Sequence, residues 1–197
     1  MKSRPIPPIL INIIYTALQV CDGVRFHSGR VCQNCGGTLS GYDARKKRFA
    51  VLFKDGEQVP VYVIVQRSYC HTCGEMFNPP VPYYPGTRVG MPVVDLCRTF
   101  STVMPYNRVS TYLARMGVIV DRWSVRHYAT ASLPDVPSLD VFGMKMPVSL
   151  IALSTLAGSL SGNAQLEMDD VLMACNYALF APSLLMQSDE TDLGENS

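Results

Sequence analysis

Two pairs of cysteines, Cys32-x2-Cys35 and Cys70-x2-Cys73, have the residue type and spacing to hold a metal. Thiolates are soft ligands, and four of them closing on one ion form a structural zinc site with no open position for a substrate or water. The two-residue spacer lets the chain wrap the ion and turn backbone N–H groups toward both sulfurs. Gly36 and Gly74 follow the two pairs, where a tight turn with positive φ costs glycine nothing. Disulfides, redox dithiols and iron–sulfur clusters use the same C-x2-C unit. Two copies flanking a strand-rich stretch favour one structural Zn2+ bound by Cys32, Cys35, Cys70 and Cys73. His71 lies inside the second pair, which already supplies two ligands, and His27 reads as a surface or turn residue. No His/Asp pattern accompanies Cys21, Cys97 or Cys175, and Cys97 falls on an apolar helical stripe as a small core residue.

A second set of residues suits nucleic-acid chemistry. Arg122 and Arg126 share the outer face of an expected helix, with Trp123 and His127 beside them. Arginine can contact guanine edges in bidentate fashion. Arg108 and Arg115, on the preceding helix, suit contacts to the phosphate backbone. The run Arg45-Lys46-Lys47-Arg48 would neutralise phosphates, or serve as an ordinary solvated stretch. Trp123 fits a DNA contact and core packing equally well. The chain has no P-loop, no dinucleotide-binding glycine pattern, and no nucleophile elbow at Ser154. Asp169, Asp170, Asp189 and Glu190 cluster locally, and no α/β domain is evident to converge them on catalytic metals. The reading is therefore not an enzyme.

The elements that must position these groups follow from periodicity. Residues 1–28 read as a helix after Pro7-Pro8, with Leu10, Ile13, Ile14 and Ala17 as its apolar stripe, and a turn at Asp22-Gly23. Residues 29–79 read as a four-cysteine zinc ribbon. Its hairpin runs from Arg48–Lys54 through Asp55-Gly56 to Val59–Ser68, with valines at period two. Residues 80–90 are a Pro/Gly-rich linker. Residues 91–133 read as three helices: Pro92–Met104, Tyr106–Met116 ended by Gly117, and a third capped by Asp121. Two helices joined by a short glycine-containing turn, the second one basic, describe a helix-turn-helix. Residues 134–187 are a linker and a helical segment, and 188–197 an acidic disordered tail. The expected class is α+β: a small zinc ribbon, then a three-helix helix-turn-helix domain, then a helical or irregular tail.

Charge supports this division. The 197 residues carry a net charge of only +1. Residues 1–145 hold all 17 lysines and arginines against nine acids, a balance of +8, and residues 146–197 hold seven acids and no base, a balance of −7. Such asymmetry points to a nucleic-acid-binding portion followed by an acidic tail. The odd cysteine count favours a reducing, cytoplasmic setting. The apolar run Ile9–Val20 is broken by Asn12, Tyr15 and Gln19, has no cleavage site after it, and is too short to span a bilayer.

The segments Val31-Cys-Gln-Asn-Cys-Gly-Gly, Arg67-Ser-Tyr-Cys-His-Thr-Cys-Gly and Tyr112–Tyr128, joined through Tyr-Pro-Gly-Thr-Arg, resemble the N-terminal region of prokaryotic insertion-sequence transposases, most like archaeal ones. The resemblance covers residues of roughly 30–130. It implies recognition of double-stranded DNA at an element's ends. It does not extend to the ribonuclease-H-type nuclease domain, for which the roughly 65 residues after the third helix are too few. A truncated or domesticated transposase-like protein is expected, which pairs with itself or with a separate catalytic chain. The alternative is a protein-interaction adaptor or transcription-associated zinc-ribbon factor.

Overall fold

The computed structural model describes residues 6–160 and 165–175. The central hairpin is longer than its apolar pattern predicts. Strands β2 (Leu39–Lys54) and β3 (Glu57–Cys70) pair antiparallel along almost their whole length. Asp55 and Gly56 join them with φ of 52° and 88°, the two positive values of a type I′ turn. The hairpin has two unlike ends. Phe49, Ala50, Leu52, Val61 and Val63, near the turn, are fully buried. Tyr42, Ala44, Arg45 and Lys46, toward the cysteines, are exposed. Strand β1 (Arg25–His27) adds to β3 in parallel, and β4 (Met76–Phe77) adds antiparallel. The result is a four-stranded mixed sheet.

Helix α1 (Pro8–Gln19) buries Leu10, Ile14, Ala17 and Leu18; of the expected stripe Ile13 is only half-buried, and Leu18 is added. Its main neighbour is α5 (Val148–Ser159), which buries Leu150 and Leu153. Helix α2 (Met91–Ser101) runs through the centre and is buried on nearly every side. Each fully buried Val, Leu or Phe on it contributes on the order of 1.5–3 kcal/mol, an upper bound set by the extended reference chain. Helices α3 (Tyr106–Arg115) and α4 (Arg122–Thr130) pack on α2 with Val109, Leu113, Val125 and Tyr128 inward, as their periodicity requires. Asp121 caps α4 by accepting the Ser124 N–H at 2.9 Å. Strands β5 (Ser138–Val141) and β6 (Met144–Pro147) form a second, two-stranded sheet, and α6 (Met168–Ala174) follows.

A separate ribbon followed by a three-helix helix-turn-helix domain and an irregular tail is not what forms. Six helices and two sheets are present among the described residues, and the hairpin, all six helices and β6 contribute to one hydrophobic core. The α3–α4 connection is docked on the edge of the sheet. Leu52 bridges to Val118, the Phe53 N–H donates to the Gly117 carbonyl at 2.8 Å, and the Ile119 N–H donates to the Val51 carbonyl at 2.9 Å. The physical reason lies in β2. Its far half is apolar, so it needs cover that a ribbon of about fifty residues cannot provide alone. The segment read as a linker at 80–90 supplies part of that cover. Tyr83 and Tyr84 are buried, and the Tyr83 hydroxyl donates to the Arg48 carbonyl at 3.1 Å. Similarly, the span 134–187, read as a linker and a helical segment, contains the β5–β6 hairpin ahead of α5. Gly162-Asn163, whose composition suggests a loop, and the acidic segment 188–197 lie outside the described residues.

Gly90 marks where α2 meets β2. Its N–H donates to the Phe49 carbonyl at 2.8 Å, and a Cβ placed on it would lie 2.2 Å from the Phe49 ring. Phe49 is wholly buried, so the ring has nowhere to move. Gly90→Ala is expected to destabilise the fold by about 1–3 kcal/mol, as overpacking does. Urea unfolding of the purified variant measures it, and an unchanged midpoint would show that the ring yields freely.

Candidate functional site

The four cysteines of the two pairs come together at the open end of the hairpin. Their Sγ atoms all lie within 4.8 Å of one another, an arrangement that could hold a metal ion. Cys32 Sγ is 3.7 Å from Cys73 Sγ, and Cys35 Sγ is 3.5 Å from Cys70 Sγ. These separations are far beyond the roughly 2.05 Å of a disulfide, and all seven cysteines are free. The two knuckles repeat one hydrogen-bond pattern. Gly36 N–H donates to Cys32 O and Gly74 N–H to Cys70 O, both at 2.9 Å. Cys32 N–H donates to Gly37 O at 2.8 Å, and Cys70 N–H to Glu75 O at 2.9 Å. Gly36 and Gly74 have φ of 72° and 77°, so the glycine after each pair has the steric role its position predicts. Register then brings the knuckles face to face, because Leu39, just after the first, pairs with Cys70, at the start of the second.

Backbone N–H groups of Cys73 and Thr72 pull the Cys70 thiol down to about 6. The Glu75 N–H acts in the same direction on Cys73, but local desolvation and the three neighbouring sulfurs prevail and hold that thiol up at about 12. His71 turns away from the cluster. Its Nε2 lies 2.7 Å from Ser40 Oγ, and its ring meets Tyr69 edge-on at 5.3 Å. The other three cysteines are core residues: Cys21, Cys97 and Cys175 are buried, and desolvation raises their pKa values.

The basic candidates separate into groups. On α4, Arg122, Trp123, Arg126 and His127 all face solvent, and Trp123 is 64% exposed, which excludes core packing. The Arg122 guanidinium sits 4.9 Å from the Trp123 ring centroid. Arg122, Trp123 and Arg126 line a cleft of about 500 Å³ with Tyr106 and Asn107 from the start of α3. Arg108 and Arg115 are exposed on α3. The run at 45–48 is not one patch. Lys46 and Arg48 stand opposite Ile64 and Tyr62, while Arg45 and Lys47 stand opposite Val65 and Val63 on the other face. Lys47 lies half-buried with Nζ 3.6 Å from the Tyr83 ring centroid, and burial lowers its pKa. Arg45 pairs with Asp43 at 3.2 Å, and Asp43 also takes two hydrogen bonds from Arg67, at 2.7 and 2.6 Å.

One buried polar group escaped the sequence reading. Asp95, 4% exposed on α2, accepts from the Tyr84 hydroxyl and the Ser149 hydroxyl, each at 2.8 Å. Burial pushes its carboxyl up to about 6 against the pull of these two donors. It ties the 80–90 segment and α5 to α2, and it belongs to the scaffold. Arg98, one turn later, donates to the Leu133 carbonyl at 2.9 Å and to the Pro134 carbonyl. This holds the chain as it leaves α4. Each was inconspicuous as a single charge in an apolar stretch. No described helix is long and apolar enough to cross a membrane.

Comparison of the chain with protein-family models, with curated proteins and with solved structures gives no match.

Proposed function

We propose that this is a zinc-dependent DNA-binding protein whose metal is structural and whose DNA contacts centre on α4. The observation that carries the reading is the outward face of α4. Two arginines and a largely exposed tryptophan line one cleft there, on a helix fixed from behind by Val125 and Tyr128. An exposed indole beside two guanidiniums is poorly explained by solubility alone and well explained by a polyanion carrying aromatic rings. Arg108 and Arg115 on α3 suit phosphate contacts flanking the cleft. Zinc is supported by size and ligand type. A tetrahedron of about 2.3 Å Zn–S bonds has edges of about 3.8 Å, close to the 3.7 and 3.5 Å sulfur separations. The resemblance in sequence order to transposase end-binding regions agrees with DNA as the partner. The adaptor reading is favoured by one other feature: Val103, Leu139 and Phe142, all more than half exposed near the β5–β6 hairpin.

Gel-shift titration decides between them, with duplex DNA selected from a random pool by the wild-type chain. Arg122→Ala and Arg126→Ala are each expected to weaken binding by about 1–3 kcal/mol. Unchanged affinity in both variants would remove α4 from the interface. Failure to retain any duplex at low salt, with a protein partner still captured, would favour the adaptor.

A further inference from the structure

Trp123 is the sole tryptophan of the chain, and its position narrows what the cleft can take. Paired bases offer a groove-binding helix their edges, which suit slender hydrogen-bonding side chains. A bulky indole is best used against a flat π-face, and a base presents that face only when it is unstacked. Tyr106, Asn107, Arg122, Trp123, Arg126 and Thr130 line a cleft of about 500 Å³ that is open to solvent, roomy enough for a planar group laid on its wall. The Arg122 guanidinium lies over one face of the indole, 4.9 Å from its centroid, so a base laid on the ring takes the opposite face, with a positive charge held across the indole from it. Arg126 lies one helical turn further along. The Asn107 side-chain oxygen is engaged by the Arg108 N–H at 2.9 Å, which leaves its amide N–H groups free to meet a base edge.

We infer that this cleft receives an unpaired DNA base, stacked on Trp123, with Arg122 and Arg126 on the adjoining phosphates. The inference rests on the DNA-binding reading and narrows its substrate to duplexes carrying unpaired bases, at an end or an opened step. A paired duplex would engage the surrounding arginines without filling the cleft.

The single tryptophan makes the site its own probe. The metal-loaded full chain is titrated, with emission recorded, against a fully paired duplex, the same duplex with an unpaired thymidine extension, the isolated strand, and the matching RNA strand. Emission is expected to be quenched at least about twofold by the extended duplex and the single DNA strand, and little by the paired duplex. Trp123→Ala, which removes the only tryptophan and is therefore titrated by gel shift, is expected to weaken binding of the extended duplex roughly 5- to 150-fold, the range for loss of one stacked base, and binding of the paired duplex less than about twofold. Trp123→Phe should restore part of the loss. Equal quenching by the paired duplex, or equal losses for paired and extended duplexes, would overturn the stacked-base inference and leave the DNA-binding reading standing. Tighter binding and stronger quenching by RNA would overturn the assignment to DNA. Absence of binding to every DNA would remove both.

Discussion

Chelating the metal from the full chain is expected to strip amide-exchange protection from residues 30–46 and 65–77 while residues 49–63 stay protected. A ribbon standing alone would unfold throughout 29–79, because metal binding supplies most of the folding free energy of such small units. Here the hairpin is anchored at its other end. Phe49, Ala50, Leu52, Val61 and Val63 are fully buried in the common core, and β2 is pinned by its bonds to Gly117 and Ile119. The open end has little besides the cluster. Its strand residues are largely exposed or half-buried, and its main side-chain link is the Asp43–Arg67 pair, a solvent-screened contact that adds little. Structural zinc sites contribute on the order of 10 kcal/mol in peptides that fold around them, so the open end should fray almost completely. Cys70→Ala should do the same. It removes a buried ligand at the last position of β3, and metal content by elemental analysis should drop with it. Acid should act in the same direction, because thiols must lose protons to bind the metal. Loss of protection across the whole of 29–79 would show that the core anchor is weak. Full retention after chelation would remove the structural role of the metal.

Replacing Asp95 by Asn is expected to shift the pH dependence of stability by about 3 kcal/mol between pH 4 and pH 7. The folded carboxyl titrates near 6, against about 3.9 in an unfolded chain. Folding therefore favours the protonated acid. Its contribution is fully present below pH 4 and is lost as pH rises through 6. A gap of roughly two pH units corresponds to about 3 kcal/mol, and at 4% exposure little solvent screening reduces it. Asparagine stays neutral at every pH, and its amide can still engage the Ser149 and Tyr84 hydroxyls. The variant should thus match the wild type near pH 4 and exceed it at pH 7. Urea melts of both proteins across this range measure the difference, and the metal site, common to both, cancels. A difference that stays flat with pH would mean the carboxyl ionises in the fold as it does in water.

The local elements were legible because their signals are local. Pro8 near a helix start, Asp121 as a cap, Asp55-Gly56 as a turn and the valines of β3 each act within a few residues, and each has its expected place. Sequence patterns are silent on what covers an apolar face. β1 and β4 are too short to show a period, and the β5–β6 hairpin turns at Phe142-Gly143 with a positive φ on phenylalanine, which composition does not signal. The linker reading of 80–90 rested on its prolines and glycines, yet Tyr83 and Tyr84 pack it against β2 and α2.

By itself the sequence determined the four-cysteine cluster, since ligand type, spacing and the glycine after each pair are properties of two short stretches of chain. It also determined which face of α4 is basic. Tertiary structure decided the rest. Docking on a common core split Arg45–Arg48 between two faces of a sheet and withdrew Lys47 beneath Tyr83. It docked the apparent helix-turn-helix connection on a sheet edge, and it left Trp123 exposed in a cleft. Those outcomes depend on which apolar surfaces meet, and burial is a property of the assembled core that no single stretch encodes.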